Sequence, residues 1–176
     1  MTESELLIRT LAQRDIQPIA AAFAGLGWNK PASQYEKYLA EQQLGQRVML
    51  VAFLREDFAG YVTICWLSDY PPFLAANIPE IVDFNVLPRF RRCGIGSSLM
   101  DAAEAWVSAY GSLVGIGVGL NADYGAAQRM YARRGYIPDG RGLMSAGSPV
   151  EYGKPVMVDD DLCLYFTKNL AGISKP

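Results

Sequence analysis

Residues Ile81 to Met100 read IVDFNVLPRFRRCGIGSSLM, and this stretch decides the fold. It opens as a strand: Ile81, Val82, Phe84 and Val86 favour extended backbone, with polar Asp83 and Asn85 interleaved. Pro88 has no N–H to give to a ladder, so the strand stops before it. A helical pattern then takes over, with Ile95, Leu99, Ala102, Ala103, Trp106 and Tyr110 recurring at three- and four-residue steps. Between strand and helix lies a loop carrying Arg89, Arg91 and Arg92 together with Gly94 and Gly96.

Such a loop is suited to an anion. The first N–H groups of a helix lack intrahelical partners, and the helix dipole adds partial positive charge there. Glycines let the backbone curl so that several N–H groups face one point and a phosphate can come close. Known phosphate loops narrow the choice. No Lys-Ser/Thr pair follows the glycines, which excludes a Walker loop, and the third glycine of G-x-G-x-x-G falls on Leu99. A nucleotide binder of either kind is therefore disfavoured. What stands is R-x-x-G-x-G, written Arg91-Arg92-Cys93-Gly94-Ile95-Gly96, directly after a strand ending in Val86-Leu87-Pro88-Arg89. In this setting it resembles the acetyl-CoA pyrophosphate loop of the GNAT superfamily of N-acetyltransferases.

A second segment carries the same resemblance. Ala127-Gln128-Arg129-Met130-Tyr131-Ala132-Arg133-Arg134-Gly135-Tyr136 matches the pattern A-x-x-x-Y-x-x-x-G-F/Y. One departure stands beside it: where many members carry an asparagine upstream of the tyrosine, this chain has Tyr124.

Composition limits the alternatives. The 176 residues suit a single domain with a full core. Formal net charge is −2, and the arginine loop is the one visible basic cluster, so no nucleic-acid partner is expected. Met1 to Glu5 has neither the basic start nor the apolar run of a signal peptide, and no segment has the apolar length of a membrane span. Cys65, Cys93 and Cys163 are few, odd in number and far apart, as in reduced cytosolic proteins. The expected location is the cytoplasm, without membrane attachment. With no histidine in the chain, Ser-His-Asp, Cys-His and His-metal chemistry are excluded, and no metal is expected.

Patterning along the rest of the chain supplies the other elements. Glu5 to Thr10 reads as a strand, and Gln13 to Ala24 as a helix ended near Gly25 and Gly27. Ser33 is a candidate cap for a helix running to Gln43. Arg47 to Leu54 and Phe58 to Leu67 form a hairpin about Arg55-Glu56-Asp57. Ser68 to Pro79 holds too many prolines for a regular element and reads as a loop, either a pocket wall or a surface cover. In Leu113 to Leu120, Val114, Ile116 and Val118 share one face, and Gly115, Gly117 and Gly119 the other. A bare glycine face suggests a close backbone or slim ligand, or else a tightly packed helix. Ala122 to Arg134 is a helix capped by Asn121 or Asp123. Ile137 to Asp160 reads as a long connection with short strand pieces, Asp161 to Lys168 as a last strand, and the final residues as frayed.

The resemblance implies an α/β (α+β) GNAT fold in one domain over residues 1–176. Its centre is a mixed, mostly antiparallel twisted sheet of about six to seven strands, flanked by about four helices, with a V-shaped splay between strands 4 and 5. It also implies acetyl-CoA as co-substrate, with pantetheine held on the strand by Phe84, Asn85 and Val86. The pyrophosphate is then gripped by Arg91, Arg92, Cys93, Gly94, Ile95, Gly96 and Ser97. Glu80 is the first candidate base and Asp83 the second; Tyr131 is the candidate acid beside the sulfur. Cys93 reads as a loop residue, and Cys65 and Cys163 as packing residues. The expected activity is acetyl transfer to a primary amine, small molecule or peptide, by direct attack in a ternary complex. An inactive acyl-CoA-sensing module is the alternative. Trp28, Trp66, Tyr70, Phe73 and Tyr152 are candidate pocket aromatics. A homodimer is left open.

Overall fold

The computed structural model describes residues 6–171. Glu5, expected to open the first strand, and the last residues, 172–176, lie outside them. The chain divides into two compact units: Met1–Cys65 with Val82–Trp106, and Trp66–Ile81 with Val107–Pro176.

The first unit contains strands β1 (Leu6–Thr10), β2 (Arg47–Leu54) and β3 (Asp57–Cys65), with helices α1 (Ile16–Ala24) and α2 (Ala32–Gln43). β1, β2 and β3 pair antiparallel in sequence order, with Ile8 opposite Ala52 and Val51 opposite Tyr61. Val48 to Ala52 and Phe58 to Ile64 are buried residue after residue, the pattern of strands covered on both faces. On one face Ile16, Ile19 and Phe23 of α1 and Tyr35 and Leu39 of α2 join Met49, Val51, Phe58 and Tyr61 in one core. The Phe23 ring meets Phe58 and Tyr61 edge-on, at centroid distances of 5.9 and 5.8 Å. Two sequence expectations are refined here. Gln13–Asp15 is a 3₁₀ turn ahead of α1. Ser33 lies inside α2, whose cap position is Pro31, with no side-chain cap bond.

Strand β4 (Glu80–Val86) contributes to both units. From Val82 onward it runs beside β3 in the first unit. Thr63 Oγ1 donates to the Val82 carbonyl at 2.9 Å, and Leu87 N–H donates to Ala59 O, also at 2.9 Å. Helix α4 (Ile95–Ser108) follows the arginine loop. Its buried stripe is Ile95, Leu99, Met100, Ala103 and Val107; Trp106 and Tyr110, counted with that face by periodicity, are exposed.

The second unit contains α3 (Pro71–Ala75), the start of β4, β5 (Leu113–Gly119), α5 (Gly125–Arg133), β6 (Ile137–Ser145), β7 (Ser148–Pro149) and β8 (Leu162–Asn169). Glu80 and Ile81 pair parallel with Gly115 and Ile116, and the pairing of β4 with β5 is confined to these two positions. β5 pairs with β8, β8 with β6, and β6 with β7, all antiparallel. The sheet is thus mixed and mostly antiparallel, with helices flanking it, as the resemblance implies. The added elements are short: β7 has two residues and α3 five. α3 corrects the reading of Ser68 to Pro79 as irregular. Pro71 and Pro72 sit in its first turn, where a missing N–H costs nothing. β6 likewise replaces much of the expected connection.

The glycine face of β5 is covered by aromatic rings, one of them from helix α3, so close packing of a helix accounts for Gly115 and rings from β8 and the turn before α5 for the other two. A Cβ at Gly115 would lie 2.2 Å from Phe73, one at Gly117 3.0 Å from Tyr165, and one at Gly119 2.5 Å from Tyr124.

Candidate active site

The arginine loop leaves the end of β4 and turns twice before α4 begins. Arg91 is extended (φ −68°, ψ 152°), while Arg92 and Gly94 turn left-handed, at φ 63° and 81°. The first α4 amide to reach a carbonyl is that of Ser98, donating to Gly94 O at 3.0 Å. The amides of Ile95, Gly96 and Ser97 therefore precede the helical ladder. Gly94 is exposed, and a side chain there would meet nothing within 4 Å, so the space over the loop is open. Gly96 has another use. A Cβ there would lie 3.2 Å from Phe84, so its bareness lets α4 start close against β4. Arg91 folds back, its Nε donating to the Val86 carbonyl at 3.2 Å, and ties the loop to the end of the strand. Arg92, Cys93 and Ser97 are exposed and Ile95 is buried.

Phe84, Asn85 and Val86 are half-buried, just beyond a kink in β4. Asp83 has φ 47°, a left-handed conformation that is uncommon for a non-glycine residue in mid-strand. Oδ1 of Asp83 accepts from Lys30 Nζ (2.7 Å) and Asn85 Nδ2 (2.8 Å). Oδ2 accepts from Tyr61 (2.7 Å), Gln34 (2.8 Å) and Tyr38 (2.9 Å). A carboxylate offers about four lone-pair sites, so its accepting capacity is filled by this set. Burial, reinforced by the Asp83 charge, raises the Tyr38 and Tyr61 phenols and keeps both as donors. Gly60 of β3 makes room for the kink: a Cβ there would lie 2.4 Å from Asn85 O.

In the second unit Glu80 is buried at 7 % exposure. Its Oε2 accepts the Ser68 hydroxyl at 2.5 Å, and Ser68 Oγ accepts the Tyr70 N–H at 3.0 Å. Tyr131, in α5, is 5 % exposed, with its ring 5.8 Å from that of Tyr136. Burial, with Tyr124 adding to it, holds its phenol well above the usual range, hence protonated. Tyr124 donates to Asp160 Oδ1 at 2.8 Å, and burial followed by that bond raises its pKa to about 12. Asn121 caps the short turn before α5, accepting from Asp123 N. Cys163 is buried, Cys65 half-buried and Cys93 exposed.

Strand, loop and helix thus bring Asp83 to Val86 and Arg91 to Ser97 together in the first unit, while Glu80 and Tyr131 belong to the second. The candidate aromatics scatter. Trp28 stacks on Phe23, Trp66 meets Tyr110, Tyr70 and Phe73 are buried, and Tyr152 is fully exposed. Sequence reasoning missed Lys30, Gln34, Tyr38 and Tyr61 as partners of Asp83. Only the four-residue spacing of Gln34 and Tyr38 hinted that they share a helix face. Ser68 carried no signal at all. Among the described residues no helix is long and apolar enough to cross a membrane, and no cluster of three or more His, Cys, Asp or Glu is placed to hold a metal ion.

Comparison with known proteins agrees with the geometry. The family model described as "Acetyltransferase (GNAT) family" matches residues 14–136. No curated protein matches the chain. Among solved structures, an N-acetyltransferase from Staphylococcus aureus Mu50 superposes with a TM-score of 0.70 at 16 % identity, covering 95 % of this chain and 99 % of that one. An acetyltransferase of the GNAT family from Streptococcus pneumoniae gives 0.66 at 21 %, covering 94 % and 99 %. The PaiA N-acetyltransferase from Thermoplasma acidophilum, solved in complex with coenzyme A, gives 0.66 at 13 %, covering 94 % and 99 %. At such identities the likeness is one of fold.

Proposed function

The chain belongs to the acetyltransferase (GNAT) family, and on that footing we propose that it moves an acetyl group from acetyl-CoA to a primary amine in a ternary complex. The observation that carries this reading is the loop from Arg91 to Ser97, with left-handed Arg92 and Gly94 and open space above Gly94. A diphosphate fits amides that precede a helical ladder, beside exposed arginines. Phe84, Asn85 and Val86, past the kink, are the main-chain groups we assign to pantetheine. Acetyl-CoA supplies an activated acyl carbon and a thiolate leaving group.

The chain's own residues supply proton management. Glu80, buried in the second unit, is our base: it takes the proton of the acceptor ammonium, directly or through water, so that the nitrogen lone pair can form the new C–N bond. The C–S bond then breaks, and Tyr131, kept protonated by burial, gives its proton to the departing sulfur, while the second proton of the attacking nitrogen passes through water and leaves Tyr131 neutral again. Asp83 was the second candidate base. Its five donors and its strained backbone favour a structural duty, which is to hold the kink. We further read the enzyme as cytoplasmic.

Isothermal titration with coenzyme A and acetyl-CoA tests the first step. Binding is expected, with at least tenfold loss in Gly94→Val, whose side chain opposes φ 81°. No binding to the intact protein overturns the proposal. Thiol release against a panel of primary amines tests the second step. Binding without thiol release from any amine leaves an acyl-CoA-sensing module instead.

A further inference from the structure

We propose that Ser68 is the positioning residue for the base of this reaction, its hydroxyl aiming the Glu80 carboxylate and setting the pH range over which Glu80 takes up a proton. This rests on the reading of Glu80 as base. The geometry is directional. Ser68 is 2 % exposed and Glu80 7 %, so neither group is served by bulk water alone. Ser68 Oγ accepts the Tyr70 N–H, which turns its proton toward Glu80 Oε2. The hydroxyl therefore acts as a donor to the charged form of Glu80, and a donor of that kind stabilises carboxylate over carboxylic acid.

The donor is also rigidly mounted. Tyr70 lies flat on Tyr165, with centroids 3.6 Å apart and planes at 1°, and meets Phe73 edge-on at 4.9 Å. Its hydroxyl donates to Asp139 Oδ2 at 2.8 Å. Glu80 is fixed from the other side by its pairing with Gly115. Cys163 and Tyr165 of β8 are titratable groups that face Glu80. Burial, and then among lesser causes the Glu80 charge, raises both of them. These groups therefore stay neutral while Glu80 is charged, and add no positive charge beside it. Phe73 of α3 and Gly115 of β5 carry no ionisable group.

The test uses the full chain. Carboxyl ¹³C NMR of the free protein, with the Glu80 signal assigned through Glu80→Gln, follows the titration with no acceptor needed. Ser68→Ala should move that titration upward by about one pH unit, the effect of one charge-assisted hydrogen bond. Ser68→Thr, which keeps the hydroxyl, should restore it. If Ser68→Ala does not fold, Ser68→Cys, a weak donor of similar size, makes the same comparison. With the fastest amine of the panel, the acid limb of kcat should move by the same amount, while coenzyme A affinity stays within twofold. A Glu80 titration unmoved in Ser68→Ala overturns the proposal. So does a moved titration with an unmoved acid limb, because Ser68 would then be a structural hydroxyl only. If the intact protein acetylates no amine, the transferase reading fails, and the NMR comparison still decides whether Ser68 governs Glu80.

Discussion

Replacing Gly60 by alanine probes the kink in β4 from the opposite strand. The added Cβ would lie 2.4 Å from Asn85 O, 3.0 Å from Val86 Cα and 3.4 Å from Asn85 C. Carbon–oxygen contacts settle near about 3.3 Å, so roughly 0.9 Å must be found. All three atoms are main chain, so no side chain can swing away. Gly60 itself is buried and sits opposite Ala52 in the β2–β3 ladder. β4 must therefore move at Asn85 and Val86. Overpacking of this kind destabilises by about 1–3 kcal/mol, or about 2–4 °C in Tm per kcal/mol for a domain of this size. On our reading the same residues hold pantetheine, and a displacement near 1 Å can cost up to about a hundredfold. We expect coenzyme A affinity to fall tenfold or more by calorimetry, alongside the lower Tm. Gly125→Ala is the control, since a Cβ there meets nothing within 4 Å and its φ is helical. That change should be neutral or slightly stabilising. A Gly60→Ala protein with Tm within a degree and affinity within twofold of the parent would refute the account of the kink.

Other outcomes follow from the site. Tyr131→Phe should lower kcat by about tenfold to a hundredfold while leaving coenzyme A affinity nearly unchanged; equal losses in both, by calorimetry and steady-state kinetics, would argue against its role as acid. Asp83→Ala leaves Lys30, at 18 % side-chain exposure, without its carboxylate and takes a shared acceptor from four neutral donors. Allowing for partial solvent access, urea unfolding should show a loss of about 2–3 kcal/mol. Alkaline stability carries a sign that can be checked. Burial raises Tyr38, Tyr61 and Tyr131 in the folded chain, whereas in the unfolded chain they ionise near about pH 10. Their contribution is complete below that pH. Above it the unfolded chain sheds protons that the folded chain keeps, and stability should fall by about 1.4 kcal/mol per pH unit for each such tyrosine. Urea midpoints between pH 8 and 11 that stay flat would contradict this.

What the sequence made legible was backbone. Runs of strand-favouring residues placed β2, β3 and β8, the alternation of glycine with branched residues placed β5, Pro88 placed the end of β4, and the R-x-x-G-x-G hexapeptide the start of α4. The turn of the arginine loop was readable because its shape resides in consecutive residues, which neighbours in sequence suffice to build. The Asp83 set was not, because Lys30, Gln34, Tyr38 and Tyr61 come from a loop, a helix and a strand that meet only after folding. Ser68 was hidden by its surroundings. Prolines that signal a turn also suit a helix's first residues, and α3 took the second option. Trp106 and Tyr110 misled because periodicity marks a face without saying where burial ends along it.

The aromatic paving of β5 has an evolutionary corollary. Each bare position on that strand is matched to one ring: Gly115 to Phe73, Gly117 to Tyr165, Gly119 to Tyr124. A methyl gained at any of the three meets its own ring first. Homologues should therefore drift in pairs here, with a larger residue in place of Gly119 accompanied by a smaller one in place of Tyr124. Tyr124, the departure from the family pattern, is then half of an exchange whose other half is a glycine.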